Sequence, residues 1–148
     1  MEGKELFSKF YIRWGYNNIP IEPTDRWKAA FKTPIGTYQS NVLSFGMKNA
    51  PAQFTRLINR DFKAWKDKWF DNQEEETVAD NYMDDFAVGS KNMPKGRQGH
   101  AKCLHELFEI MEKKDYYLRA SKCCWMQSRL ELLGVILENG IMRIDPAK

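Results

Sequence analysis

Cysteine and histidine are scarce in this chain of 148 residues, with three of the first and two of the second. The cysteine count is odd, and Cys123 and Cys124 are adjacent. That argues against a disulfide framework and for a reducing, intracellular setting. No stretch approaches the roughly 18 apolar residues of a membrane-spanning helix, so no membrane role is expected. Met1 to Lys9 has charge but no apolar run behind it, which speaks against a signal peptide. Internal repeats and long low-complexity segments are absent too. Zinc is poorly served: His100, Cys103 and His105 fall on one helix, but Cys103 neighbours a core stripe. The Cys123-Cys124 pair also lacks the usual two-residue spacer. Buried thiols and a surface histidine account for these residues better.

What is present is a globular composition, 43% hydrophobic and 29% charged. The length fits one domain with a real core. The net charge of +3 hides a pattern. Residues 1–70 carry 12 Lys/Arg against 6 Asp/Glu, and residues 86–148 carry 11 against 7. Between them, residues 71–85 hold seven acids and no base: Asp71, Glu74, Glu75, Glu76, Asp80, Asp84 and Asp85. A basic body around an acidic patch suits a protein that holds a polyanion and a divalent metal. Glu74 to Glu76 read more simply as a solvated loop, and Asp71 to Thr77 as a linker.

Phe7 to Ile12 reads as a strand. Trp27 to Thr33 and Tyr38 to Leu43 read as two more, joined by a turn at Pro34, Ile35 and Gly36. Asn49 is a suitable N-cap and Pro51 suits a first turn, so a helix is expected after them. Phe54, Leu57, Ile58, Phe62 and Trp65 fall on one face of that helix. Arg56, Arg60 and Lys63 lie largely off the stripe. A second amphipathic helix is expected over about His100 to Lys114. Thr77 to Ser90 reads as two strands around a tight turn at Met83 to Asp85. Leu132 to Leu137, the Asn139-Gly140 turn and Ile141 to Ile144 read as a hairpin. Helices on one face of an antiparallel sheet define an α+β domain.

Tyr82-Met83-Asp84-Asp85 carries the strongest chemical signal. Two adjacent carboxylates at a hairpin tip repel each other, and a hard cation is the usual reason to hold them together. Two metal ions about 4 Å apart can activate an attacking hydroxyl and stabilise a leaving oxygen in phosphoryl transfer. Such a site needs a further carboxylate from another strand. The competing reading is an ordinary Asp-rich turn.

Three further blocks stand beside this one. The first is Phe7 to Tyr16, followed by Trp27-Lys28-Ala29-Ala30-Phe31. The second is Phe45-Gly46-Met47-Lys48-Asn49-Ala50-Pro51-Ala52-Gln53-Phe54. The third is Lys122-Cys123 with Leu133-Gly134 and Gly140 to Pro146. In order and spacing the four blocks resemble the reverse transcriptase of gypsy-type retrotransposons, over essentially the whole chain. The resemblance implies a polymerase palm, a split βαβ arrangement with an antiparallel sheet and helices on one face. It also implies part of the fingers at about residues 22–48 and a primer-grip-like hairpin at about 130–145.

The resemblance implies roles as well. Asp84 and Asp85 would be paired catalytic carboxylates holding two Mg²⁺ or Mn²⁺ ions. Tyr16 would lie beneath the incoming sugar and select deoxynucleotides. Phe45 and Gly46 would line the nucleotide pocket, and Lys122 would stand near the leaving pyrophosphate. Leu133 and Gly134 would begin the primer grip. Arg56, Arg60 and Lys63 would contact phosphates or form a solvated helix face. RNA template, DNA primer and deoxynucleotide triphosphates would be the partners.

The chain departs from the family at one consequential place. Where the family has aspartate, between Phe10 and Ile12, this chain has Tyr11. That aspartate would bridge both ions with the first hairpin carboxylate. A phenol is neutral at pH 7, a poor ligand for a hard cation, and larger than aspartate. If the lost stabilisation reaches ~4 kcal/mol, the rate falls about a thousandfold. Further fingers before the segment, and a thumb or connection and RNase H after it, are expected of the full-length family. Three functions follow: an impaired polymerase, a non-catalytic nucleic-acid-binding module, or a decayed element fragment.

Overall fold

The computed structural model describes residues 1–70, 72 and 76–144. The linker expected at Asp71 to Thr77 lies mostly outside them, as do three of its acids, Asp71, Glu74 and Glu75. The end of the third block, from Asp145 on, lies outside them as well.

A four-stranded antiparallel sheet forms the centre, in the order β4-β5-β1-β6. Its strands are β1 (Leu6–Tyr11), β4 (Thr77–Tyr82), β5 (Asp85–Ser90) and β6 (Cys124–Gln127). Three helices contribute to the core on one face: α1 (Ala50–Asp61), α2 (Lys63–Trp69) and α3 (Pro94–Lys113). Phe10, Phe54, Ile58, Phe62, Trp65, Phe86 and Leu107 meet in the main cluster. Burying side chains of this size is worth roughly 1.5–3 kcal/mol each. The Trp65 indole N–H donates to the Cys103 carbonyl at 3.0 Å, which ties α2 to α3.

The expected single helix after Asn49 is two. Phe62 breaks it (φ −106°, ψ 7°) and is buried against Phe86, with ring centroids 4.9 Å apart. Tertiary packing of one aromatic side chain therefore overrides helix continuity. Asn49 occupies the N-cap position, but its side chain makes no capping bond. The second expected helix starts six residues early, at Pro94, which suits a first turn. Gly96 is required there, since a Cβ would stand 2.3 Å from the Lys91 carbonyl oxygen.

Two smaller units flank this core. The hairpin β2 (Ala30–Thr33) and β3 (Gly36–Gln39) forms its own two-stranded sheet. It is shorter than expected. Trp27 belongs to the 3-10 turn Pro23–Ala29, whose first residue fixes φ for such a turn, and β3 ends before Ser40. The second unit is a three-stranded meander of β7 (Arg129–Leu132), β8 (Val135–Glu138) and β9 (Ile141–Ile144). Its Leu130 and Leu137 cover Phe7 of β1. Asn139-Gly140 makes the expected tight turn, both residues at positive φ. Leu133-Gly134 makes a second such turn, so these two residues form a hairpin tip rather than beginning a strand.

Candidate functional site: the end of the central strand

Chain segments converge where β1 ends. Side chains alternate across a strand, so Phe10 enters the core while Lys9 and Tyr11 point to the helix-free face. Tyr11 is paired directly with Asp85, the first residue of β5. Tyr82 also pairs with Asp85, which leaves Met83 and Asp84 as a two-residue turn. Met83 takes φ 56°, a strained value for a non-glycine residue. The Ile12 N–H donates to the Asp84 carbonyl at 3.2 Å, locking the turn to β1.

The chain after α3 returns alongside. Arg13 N–H donates to the Tyr117 carbonyl at 2.6 Å, and Arg119 N–H donates to the Tyr11 carbonyl at 2.9 Å. The 3-10 turn Ala120–Lys122 follows and places the exposed Lys122 beside Tyr11. The Lys122 ammonium lies 5.1 Å from the Tyr11 ring centroid, and the Lys9 ammonium lies 5.4 Å from it. Both are at cation–π range. Burial and then the charge of Asp84 push the Asp85 carboxyl above the usual range, against the pull of Lys9 and Lys122.

A cavity of about 600 Å³ collects Tyr11, Asp84, Lys122 and Phe45 among the expected residues. Tyr16 stands behind Phe45, with centroids 4.8 Å apart, and rests on Phe54 of α1. Asp85 lines a different cavity, of about 290 Å³, together with Leu133. Asp85 nevertheless feels the charges of Asp84 and Lys122, both of which line the first cavity. Gly46 has positive φ and is exposed, and neither it nor Gly134 lines either cavity.

The three basic residues of the first helices separate. Arg60 is paired with Asp61 at 2.9 Å and Lys63 with Asp67 at 2.6 Å. Arg56 borders a third cavity, beside Tyr82 and Met83 of the hairpin. Lys9, Arg13, Trp14 and Arg119 are site residues that the sequence reading passed over. Lys9 was findable, since position i−2 of a strand shares a face with Tyr11.

A pair of divalent ions does not fit this donor set. No group of three His, Cys, Asp or Glu side chains stands close enough for a metal among the described residues. Asp84 and Asp85 border different cavities, Tyr11 presents a phenol beside them, and two ammonium groups stand at cation–π range of its ring. Asp80 and Asp25, the nearest acids in sequence, are paired with Lys66 and Lys28, each at 2.6 Å. The zinc set is committed elsewhere too: His100 is fully buried between Ser8 and Ser90, so only His105 is the surface histidine.

An antiparallel sheet with helices on one face and a two-carboxylate hairpin tip at its end is the frame of a polymerase palm. The chain belongs to the reverse transcriptase (RNA-dependent DNA polymerase) family, whose pattern matches residues 1–137. It is 25% identical over 134 residues to the Transposon Tf2-3 polyprotein of Schizosaccharomyces pombe, covering 90% of this chain and 9% of that protein. It is 28% identical over 136 residues to the genome polyprotein of Petunia vein clearing virus, covering 92% of this chain and 6% of that protein. The chain therefore spans less than a tenth of these relatives. In fold it is similar to the foamy viral protease-reverse transcriptase. The structure with double-stranded DNA gives a TM-score of 0.83 at 18% identity, covering 99% of this chain and 23% of that one. The structure with an RNA/DNA hybrid gives 0.80 at 19% identity, covering 98% and 18%.

Proposed function

We propose that this chain is the palm of a gypsy-type retrotransposon reverse transcriptase whose two-metal nucleotidyl transfer is impaired. Residues 22–48 supply part of the fingers and the meander at about 130–145 the primer-grip-like hairpin. One observation carries the reading. The place that needs a bridging carboxylate holds the Tyr11 ring, paired with Asp85 and covered by the Lys9 and Lys122 ammonium groups. A neutral phenol under two cations repels divalent ions where the family's chemistry would collect them.

Primer extension on an RNA template with Mg²⁺ or Mn²⁺ tests this. The unmodified chain should give little or no product, at least about a thousandfold below a site with all three carboxylates. Tyr11→Asp should restore Mg²⁺ binding at the hairpin, read by titration calorimetry. Robust extension by the unmodified chain would overturn the reading.

Holding nucleic acid is the function the remaining geometry favours. Arg56 borders a cavity beside the hairpin tip and has no carboxylate partner among the described residues. Salt-sensitive binding to an RNA–DNA hybrid, weakened by Arg56→Gln, is the expected behaviour. Arg60 and Lys63 contribute less, since each already has a carboxylate.

A further inference from the structure

We propose that Lys9 is a positioning residue: its ammonium ties the β7–β9 meander to β1 and sets where the Leu133-Gly134 tip stands beside the hairpin. The inference rests on the primer-grip-like reading of the meander and adds the residue that holds it in place.

Attachment is the first ground. Among the described residues the meander shares no strand pairing with the four-stranded sheet, so side chains and isolated bonds hold it there. Two of these holds lie away from the hairpin. Leu130 and Leu137 cover Phe7, which stands about 13 Å before Tyr11 along the strand. The Gly3 N–H donates to the Gly140 carbonyl at 2.9 Å, at the turn opposite the tip. Lys9 sits between Phe7 and Tyr11 on the same face, and its Nζ donates to the Glu131 carbonyl at 2.5 Å. Glu131 lies next to Leu132, where β7 runs into the tip. Lys9 therefore supplies the polar hold on the tip side.

Loose packing is the second ground. A cavity of about 290 Å³ is lined by Leu132 and Leu133 of the meander and by Tyr82, Asp85 and Ala87 of the sheet. A second, also of about 290 Å³, is lined by Lys9 and Cys124 of the sheet and by Arg129, Leu130 and Glu131 of the meander. Side chains that face a void lack contacts on that side, so apolar packing alone does not fix the meander at this end. A charge-assisted hydrogen bond from one unit to the other does.

The third ground is the chemistry at the two ends of the tie. β7 is an edge strand of the meander, so carbonyls on its outer side have no strand partner. Lys9 gives one of them a charged donor. The same ammonium lies 5.4 Å from the Tyr11 ring centroid, at cation–π range. One cation thus engages the meander backbone and the ring at the end of β1. Tyr11 is paired with Asp85, so a single residue separates the tie from the hairpin.

Hydrogen exchange and NMR on the intact chain test the inference. Lys9→Met keeps the stem and removes the donor, whereas Lys9→Arg keeps a charged donor. Lys9→Met should speed amide exchange at Leu132 to Val135 by at least about tenfold and weaken the cross-peak between the Leu132 and Ala87 methyls. The Phe86 and Val88 amides and the thermal midpoint should stay at the parent's values. Lys9→Arg should remain within about threefold of the parent at the tip. In the unaltered chain the Lys9 ammonium should show an Overhauser contact with protons of Glu131 or Leu132, a measurement independent of how either variant folds. Binding supplies the second readout. The parent should prefer an RNA–DNA hybrid with a recessed primer end over the same hybrid with blunt ends. Lys9→Met should lose that preference and Lys9→Arg retain it, since removal of a charge alone weakens both probes alike. Unchanged exchange at the tip, loosening spread over the whole fold, no ammonium contact, no rescue by arginine, or equal weakening of both probes would each sink the inference. A parent with no preference for the primer end, but a tip loosened only in Lys9→Met, refutes the primer-grip reading and leaves the tie standing.

Discussion

Mild acid should destabilise this protein through one buried side chain. His100 is fully buried on α3, its Nδ1 2.9 Å from Ser90 Oγ and its Nε2 2.8 Å from Ser8 Oγ. The bonds join α3 to β5 and β1. Two hydroxyls satisfy a neutral imidazole, which donates with one nitrogen and accepts with the other. They offer a protonated ring no countercharge, so burial lowers its pKa from 6.5 to about 4. The folded value lies below the unfolded one, so the unfolded chain binds the proton more tightly. Stability is therefore fully present above pH 6.5, falls as pH drops through the window, and is lost below about pH 4. The gap between 6.5 and about 4 corresponds to ~3 kcal/mol, a large part of a small domain's stability. Urea denaturation at a series of pH values measures it. Between about pH 6 and 5 the slope should approach ~1.4 kcal/mol per pH unit, one proton's worth. His100→Gln removes the titrating group, so its stability should be nearly flat there, although its absolute value falls. The Asp61 carboxyl is held below its ordinary value, and the raised Asp85 carboxyl is common to parent and variant, so it cancels in the comparison. Equal slopes for the parent and His100→Gln would refute the assignment.

Two other perturbations address packing and a buried charge. Gly96→Ala should lower stability by ~1–3 kcal/mol in urea denaturation, because its Cβ would stand 2.3 Å from the Lys91 carbonyl oxygen and the helix must move. An unchanged or raised midpoint, as helix propensity alone would give, would show that the helix start is looser than described. Tyr116→Phe should cost about 2 kcal/mol at pH 7, since its hydroxyl donates to Asp61 Oδ2 at 3.0 Å and that carboxylate is nearly buried. Burial pushes the Asp61 carboxyl up, but hydrogen bonds from Arg60 and Tyr116 outweigh it and hold it low. An NMR titration of Asp61 should therefore move upward in the variant, and an unmoved titration would deny the bond.

Local signals were legible in the sequence, and packing choices were not. Asn139-Gly140 and the Tyr82-to-Asp85 turn were readable because each turn needs only its own residues. Phe7 to Ile12 was readable as a strand, which the structure places at Leu6–Tyr11. The break at Phe62 was not readable, since the cause is an aromatic contact with Phe86 across the fold. Nor was the early start of α3, whose first turn is weakened as a helix signal by Gly96, a residue kept for close approach. In the site, the pairing of Tyr11 with Asp85 followed from strand order once the sheet was known. That Asp84 and Asp85 border different cavities was not readable, because it depends on a two-residue turn with Met83 at positive φ. The crowding of Tyr11 by Lys122 needed the return of the chain after α3.

Core and candidate site use opposite faces of the same strand, β1. Phe10 carries the core, with Phe86 opposite it, and Ser8 carries the buried link to His100. Tyr11 is not part of the main cluster. The other face carries the charged groups. Three clustered carboxylates are mutually repulsive until divalent ions bind between them. With tyrosine there, Asp84 and Asp85 remain, and Lys9 and Lys122 supply the cations from within the chain. The two lysines draw the Asp85 carboxyl down, but burial and Asp84 outweigh them and hold it above its ordinary value. On the proposed reading, an aspartate placed at position 11 must displace two ammonium groups before a second ion can enter.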